Sequence, residues 1–137
     1  MNSSGERGIL LARSAAELVG APFRLFGRDV ARGLDCVGLV HVSLQRIGIE
    51  AKAPAGYGLR NSDPSRWFAF AKNYCLTDVD DTISIGDVFV TQPGPGQQHV
   101  MICERKGVAI HAHAGLGRVV RESVGREPST LAHWRLI

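Results

Sequence analysis

The spacing of apolar residues along the chain changes near Thr82. Before it, apolar side chains recur every three to four residues; after it, they alternate or form short β-branched runs. Ile9, Ala12, Ala16 and Val19 keep helical spacing and Gly20-Ala21-Pro22 stops the run, which predicts a first helix. "PFRLFGRDVARGLD" has no period and is rich in Gly and Arg, so it reads as a surface loop. From Cys36 to Ile47, the positions Val37, Val40, Leu44 and Ile47 line one face of a second helix. Asp35 stands as its N-cap, and Gly48 ends it. "EAKAPAGYGLRNS" reads as a linker. Asp63-Pro64 then reads as the start of a third helix, with Trp67, Phe70, Ala71 and Tyr74 as core positions.

Beyond Thr82, "ISIGDVFVTQ", "HVMICER", "VAIHAHA", "GRVVRES" and "LAHWRLI" read as strands. Turn chemistry separates them: "PGPG", "KG", "GLG" and "GREPS". Four or five antiparallel strands following helices predict an α+β fold with the helices packed on one face of the sheet. With 137 residues and no internal repeat, a single domain over 1–137 is expected, long enough to bury a core without staples.

Composition narrows the function classes. Apolar content of 45% and charged content of 21% are those of an ordinary globular protein. No apolar run approaches the roughly 20 residues of a membrane span. "MNSSGERGILLARSAAEL" lacks the apolar core of a signal peptide, so synthesis in the cytoplasm and another route to any outside site of action are expected. The net charge of +3 comes from 13 Arg and 3 Lys, scattered without blocks or interleaved aromatics. That pattern speaks against nucleic acid as a partner and suits an anionic substrate such as cell wall. Cys36, Cys75 and Cys103 form neither a disulfide framework nor a CxxC knuckle and read as free thiols.

"GLDCVGLV" carries the candidate chemistry. Cys36 is either a small buried hydrophobe or a nucleophile. As the first residue of a helix, its sulfur would feel the positive end of the helix dipole, which favours thiolate. Gly38, one turn in, would leave room for substrate. His99 and His111 lie twelve residues apart across the Lys106-Gly107 turn, a spacing that keeps strand alternation and allows a shared face. A nucleophile on a helix end, a base on one strand and an orienting group on the next make a Cys-His-X triad; the alternative is three unrelated residues. A further alternative has His111, His113, His99 and Cys36 holding zinc. The hydrolase reading explains more of the residues, so neither a metal nor an organic cofactor is expected. His41 and His133 are expected on the surface, and Cys75 and Cys103 as buried small residues. Asp87 is expected to tie down a turn, and Trp134 fits either core or surface.

The string "APFRLFGRDVARGLDCVGLV", followed by "IGDVFV", "HVMI" and "AIHA", resembles the NlpC/P60 family of bacterial cell-wall cysteine peptidases over Ala21 to Ala112. The resemblance implies a papain-like fold with the nucleophile at a helix N-terminus. It assigns Cys36 as nucleophile, His99 as general base and His111 as the polar residue that orients the base, with Asp35 as support beside the nucleophile. Phe23 stands where the family usually has Tyr, and Met101 where it has Gly after His-Val. "LFGRD" holds one glycine where two are common.

The implied reaction is hydrolysis of a peptide bond in peptidoglycan stem peptides, most often between D-glutamate and the following diamino acid. Phe23, Arg24, Arg28 and Arg32 are the expected substrate-binding positions, the arginines facing substrate carboxylates. "DCVGLV", without Ser after Cys, and "LAHWRLI" resemble the branch found in phage-tail and gene-transfer-agent clusters. That implies tail structural proteins as partners and action at the cell wall or periplasm. Two other classes stay open: a structural tail component or murein-binding domain with little activity, and a Cys-His amidase or acyltransferase acting on a non-wall substrate.

Overall fold

A computed structural model describes residues 3–50, 71–72, 74–94, 97–125 and 128–136 of the chain. The predicted linker and most of the predicted third helix, including Trp67 and Phe70, lie outside them. Helix α1 spans Ser3–Ala16 and α2 spans Cys36–Arg46. Between them, β1 (Arg28–Asp29) and β2 (Gly33–Leu34) pair as a small antiparallel hairpin. Six further strands follow: β3 (Leu76–Asp78), β4 (Val88–Gly94), β5 (Gln97–Arg105), β6 (Val108–His113), β7 (Arg118–Ser123) and β8 (Ala132–Leu136). They form one antiparallel sheet in the order β3-β8-β4-β5-β6-β7. The α+β fold class is as the periodicity indicates. The sheet is not a simple meander, because β8 returns to lie between β3 and β4, with Trp134 opposite Val88 and Leu136 opposite Leu76.

Alternation sorts the sheet into two faces. Val88, Val90, Val100, Ile102, Ile110, Ala112, Trp134 and Leu136 join Leu11, Leu18, Val37 and Leu44 of the helical side in the main core. Phe89, Met101, Cys103 and Ala109 form a smaller cluster on the reverse face. Met101 therefore packs away from α2 and does not narrow a cleft beside it. Trp134 is core.

Two helices differ from their predicted faces. In α1, which ends at Ala16, the fully buried residues are Leu11 and Ala15, continued by Leu18 after its end, while Ile9, Ala16 and Val19 are half-buried. The larger leucines take the deep positions and the predicted stripe flanks them. Helix α2 is buried nearly all round, Leu39 and Val42 included, because α1 lies against one side and the sheet against another.

The predicted surface loop before α2 is tied down. Gly27, Gly33 and Leu34 are buried, and Asp29 accepts from the backbone N–H groups of Ala31 (2.8 Å) and Arg32 (3.1 Å) to close the hairpin turn. Three other expectations are corrected. Cys75 is exposed, in a turn at φ 60° that sends its neighbours Tyr74 and Leu76 inward instead. His133 is buried, its Nε2 2.6 Å from Asp87. His41 is half-buried, with Nδ1 bonded to the Tyr74 hydroxyl.

Candidate active site

The site begins with the cap of α2. Asp35 is fully buried in extended conformation, and its Oδ1 accepts from the Gly38 N–H at 2.8 Å, the bond an N-cap makes. The same oxygen lies 3.1 Å from Arg28 Nη1, and Oδ2 accepts from the Phe26 N–H at 2.7 Å. One carboxylate thus fixes the helix start, the preceding loop and the residue after it, Cys36. Gly38 serves this packing rather than substrate access. A Cβ there would lie 2.0 Å from the Gly27 carbonyl oxygen, so the loop occupies the space beside it. Arg28, an expected substrate contact, bonds the Gly27 carbonyl (2.8 Å) and Asp35 and so holds the loop.

Cys36 is buried as the first residue of α2. Backbone N–H groups of Val100, Val37 and Cys36 itself favour its thiolate, but burial and the adjacent Asp35 charge outweigh them, and the thiol is pushed up to about 11. The expected acidification by the helix terminus is therefore overridden. No hydrogen bond joins Cys36 to His99 among the described residues.

The Val100 N–H reaches Cys36 because β5 and β6 part. Their ladder runs from Arg105 and Val108 to Ile102 and Ile110 and stops there, while β6 stays paired to β7 through His113. His99 and His111 lie beyond the last pair and share alternation with Met101 and Ala109 of the reverse face. At the split, Cys36 of the helical side lies against the Val100 amide, which follows His99 in the chain.

His99 and His111 have ring centroids 6.0 Å apart, tilted at 54°. Burial, reinforced by the neighbouring His111 and His113, lowers the His99 pKa, and Glu122 opposes the shift. His111 is buried, its Nε2 2.5 Å from Glu122 Oε2 in β7, and its Nδ1 has no hydrogen-bond partner. Glu122 escaped sequence reasoning: "RVVRES" names a strand, but only the register that sets Val120 opposite His111 brings Glu122 alongside. His113 is 5.6 Å from His111, ring to ring, and its Nδ1 accepts from the Leu116 N–H at 3.0 Å. No group of three or more His, Cys, Asp or Glu able to hold a metal occurs among the described residues.

Phe23 is half-buried against the main core, its N–H bonded to the Gly117 carbonyl at 2.8 Å. Arg24 and Arg32 are exposed around an open cavity of about 380 Å3, which Leu25, Phe26 and Arg28 also line. Asp87 is structural, as expected. It is buried and accepts from the Ser84 N–H (2.8 Å) and from Arg135 Nε (2.9 Å), besides pairing with His133. A larger cavity, of about 570 Å3, lies elsewhere, around Asp78–Asp81 and Thr130–His133, and none of the triad candidates lines it. No helix among the described residues is long and apolar enough to cross a membrane.

Comparison with known proteins agrees with this architecture. The NlpC/P60 domain of the peptidoglycan hydrolase SagA superposes with a TM-score of 0.58 at 23% identity, over 85% of this chain and 89% of that one. The P60 domain of an antigen from M. avium subspecies paratuberculosis gives 0.55 at 21% identity, over 97% and 96%. A lipoprotein-like member of the NLP/P60 family from Staphylococcus aureus gives 0.64 at 15% identity, over 100% of this chain and 43% of that one. No curated protein sequence matches the chain. These likenesses carry the fold, and residues 20–135 match the sequence pattern of one family: the chain belongs to the NlpC/P60 family.

Proposed function

We propose that this protein is a cysteine peptidase that hydrolyses peptidoglycan stem peptides, with Cys36 as nucleophile, His99 as base and His111 as its orienting partner. The observation that carries the reading is the position of Cys36. In an NlpC/P60 chain, it opens α2 at the split between β5 and β6, against the amide that follows His99. His99 takes the Cys36 proton as the sulfur attacks the scissile carbonyl, and His111 steadies the imidazolium. The protonated His99 then donates to the leaving amine, and water hydrolyses the thioester. Backbone N–H groups at the start of α2 stabilise the oxyanion. Because burial raises the thiol, Cys36 must give up its proton to His99 for attack to occur.

The finer reading is cleavage between D-glutamate and the diamino acid that follows. Arg24 and Arg32, at the rim of the loop cavity, suit the carboxylates of such a substrate. Phe23, packed against the main core beside that loop, lacks the family's usual hydroxyl. Incubating the protein and its Cys36→Ala variant with defined muropeptides, and weighing the products, tests both levels. Cleavage by the wild type alone, at that bond, supports the proposal. Equal turnover by Cys36→Ala overturns it. A place in a phage-tail-like particle belongs to the same proposal, supported by "DCVGLV" and "LAHWRLI" alone; purified particles that lack the protein would remove it.

One observation favours a second reading, a murein-binding domain with little activity: the thiol is protonated and unlinked to His99. Sedimentation with sacculi, without cleavage by the wild type, would select it.

A further inference from the structure

Beyond the triad candidates, the strands bring one carboxylate into the site. We propose that Glu122 is a positioning residue that fixes the tautomer of His111, and through it the orientation of His99 during proton transfer; this rests on the peptidase reading above. An ionised carboxylate only accepts hydrogen bonds, so the 2.5 Å contact requires His111 Nε2 to carry the hydrogen. In the neutral ring Nδ1 is then a bare acceptor, and it is the atom of this buried ring left without a partner. A buried acceptor with nothing to accept costs free energy in the resting protein. Its match is the N–H that neutral His99 carries on the nitrogen turned away from Cys36, and that bond strengthens once the ring has taken the Cys36 proton. The neighbouring rings lie 6.0 Å apart between centroids, so they must turn and draw closer to make that bond. The proton from Cys36 stays on His99 until it passes to the leaving amine, and His111 gains and loses none.

The register supports the assignment. Glu122 lies opposite Ala109 and His111 opposite Val120, so the two side chains are diagonal neighbours on one face of the β6–β7 ladder, within reach of a long side chain. The Glu122 side chain is half-exposed, at 50%, while that of His111 is 3% exposed. The carboxylate thus spans from solvent to a buried ring, and its removal need not disturb the core.

The test compares wild type with Glu122→Ala and Glu122→Gln. Imidazole nitrogen NMR reports the His111 tautomer without any substrate, and muropeptide kinetics over pH report function. In the wild type His111 carries its hydrogen on Nε2. In Glu122→Ala the tautomers mix, kcat falls roughly 10- to 100-fold with little change in KM, and the acid limb moves to lower pH as His99 loses a nearby negative charge. Glu122→Gln keeps an oxygen acceptor for Nε2–H. It restores the tautomer and most of kcat, but its acid limb stays at the lower pH. An unchanged tautomer in Glu122→Ala overturns the proposal whatever the activity, as does an unchanged kcat. If Cys36→Ala abolishes cleavage and Glu122→Ala does not, the peptidase stands and Glu122 falls. If no cleavage is found, the tautomer measurement still decides the role of Glu122.

Discussion

The backbone N–H of Val100 faces the sulfur of Cys36, one residue beyond His99 in β5. That relationship exists because β5 leaves β6 after Ile102, freeing the strand end beside α2. It sets a helix residue against the amide that follows His99, with no hydrogen bond between Cys36 and His99 among the described residues. The amide stabilises anionic sulfur, yet burial and Asp35 exert the larger effect, so the resting site stores a thiol.

Cys36 will therefore alkylate slowly at neutral pH. In a Cys75→Ser, Cys103→Ser background, the rate with iodoacetamide should keep rising above pH 9, beyond the free-thiol value of ~8.5, toward the raised value of about 11. A plateau below pH 8 would mean instead that a Cys36–His99 ion pair forms in solution.

Asp35→Asn separates two effects of one carboxylate. Asn still caps α2, but the bond to Arg28 loses its charge, and the protein should be less stable by about 1–3 kcal/mol. Removing the negative charge should at the same time lower the alkylation pKa of Cys36. Denaturant melts and alkylation on the same variant measure both, and a rise in that pKa would contradict the assignment.

Gly38→Ala tests packing against propensity. Alanine favours a helix interior by about 1 kcal/mol over glycine, which predicts stabilisation from sequence alone. The Gly27 carbonyl 2.0 Å from the added Cβ predicts the reverse, a loss of about 1–3 kcal/mol as loop and helix are forced apart. Chemical denaturation reads the sign.

Burial lowers the His99 pKa, so the base stays neutral into mildly acidic solution. The acid limb of kcat/KM should fall below the ordinary histidine value of ~6.5. A limb well above it would assign the base to another group.

Asp87→Ala should destabilise without specific damage to chemistry. It leaves buried His133 without its partner and takes from Arg135 one of its two carboxylates, the other being Asp81. The cost should be about 3–5 kcal/mol, read as a lower midpoint in guanidinium. Turnover per folded molecule should hold, since Asp87 bonds Ser84, His133 and Arg135, none of them a triad candidate. Stability should also fall as pH rises past ~9 in any variant that keeps Cys36 and Cys103. Both thiols are raised to about 11 in the fold, so the unfolded chain loses its protons first.

Local rules were enough for much of this protein. Asp35 is followed three residues on by the Gly38 N–H it caps, and Val37 to Leu44 carry a helix whatever packs around them. β-Branched runs broken by Lys106-Gly107 and "GLG" name β6 and β7 and their antiparallel turns, and the even spacing of His99 and His111 allowed them one face, subject to register. Properties that depend on partners distant in the chain were not legible. The place of β8 between β3 and β4, the burial of His133 on Asp87, and the loop carbonyl against Gly38 each join residues with no local signal between them. The state of Cys36 is of the same kind. A helix terminus is a local property and argues for thiolate, whereas desolvation is set by the whole fold and keeps the proton on sulfur. The sequence determined which groups stand at the site; only tertiary structure decided where β5 and β6 part, and so which of those groups meet and in what protonation state.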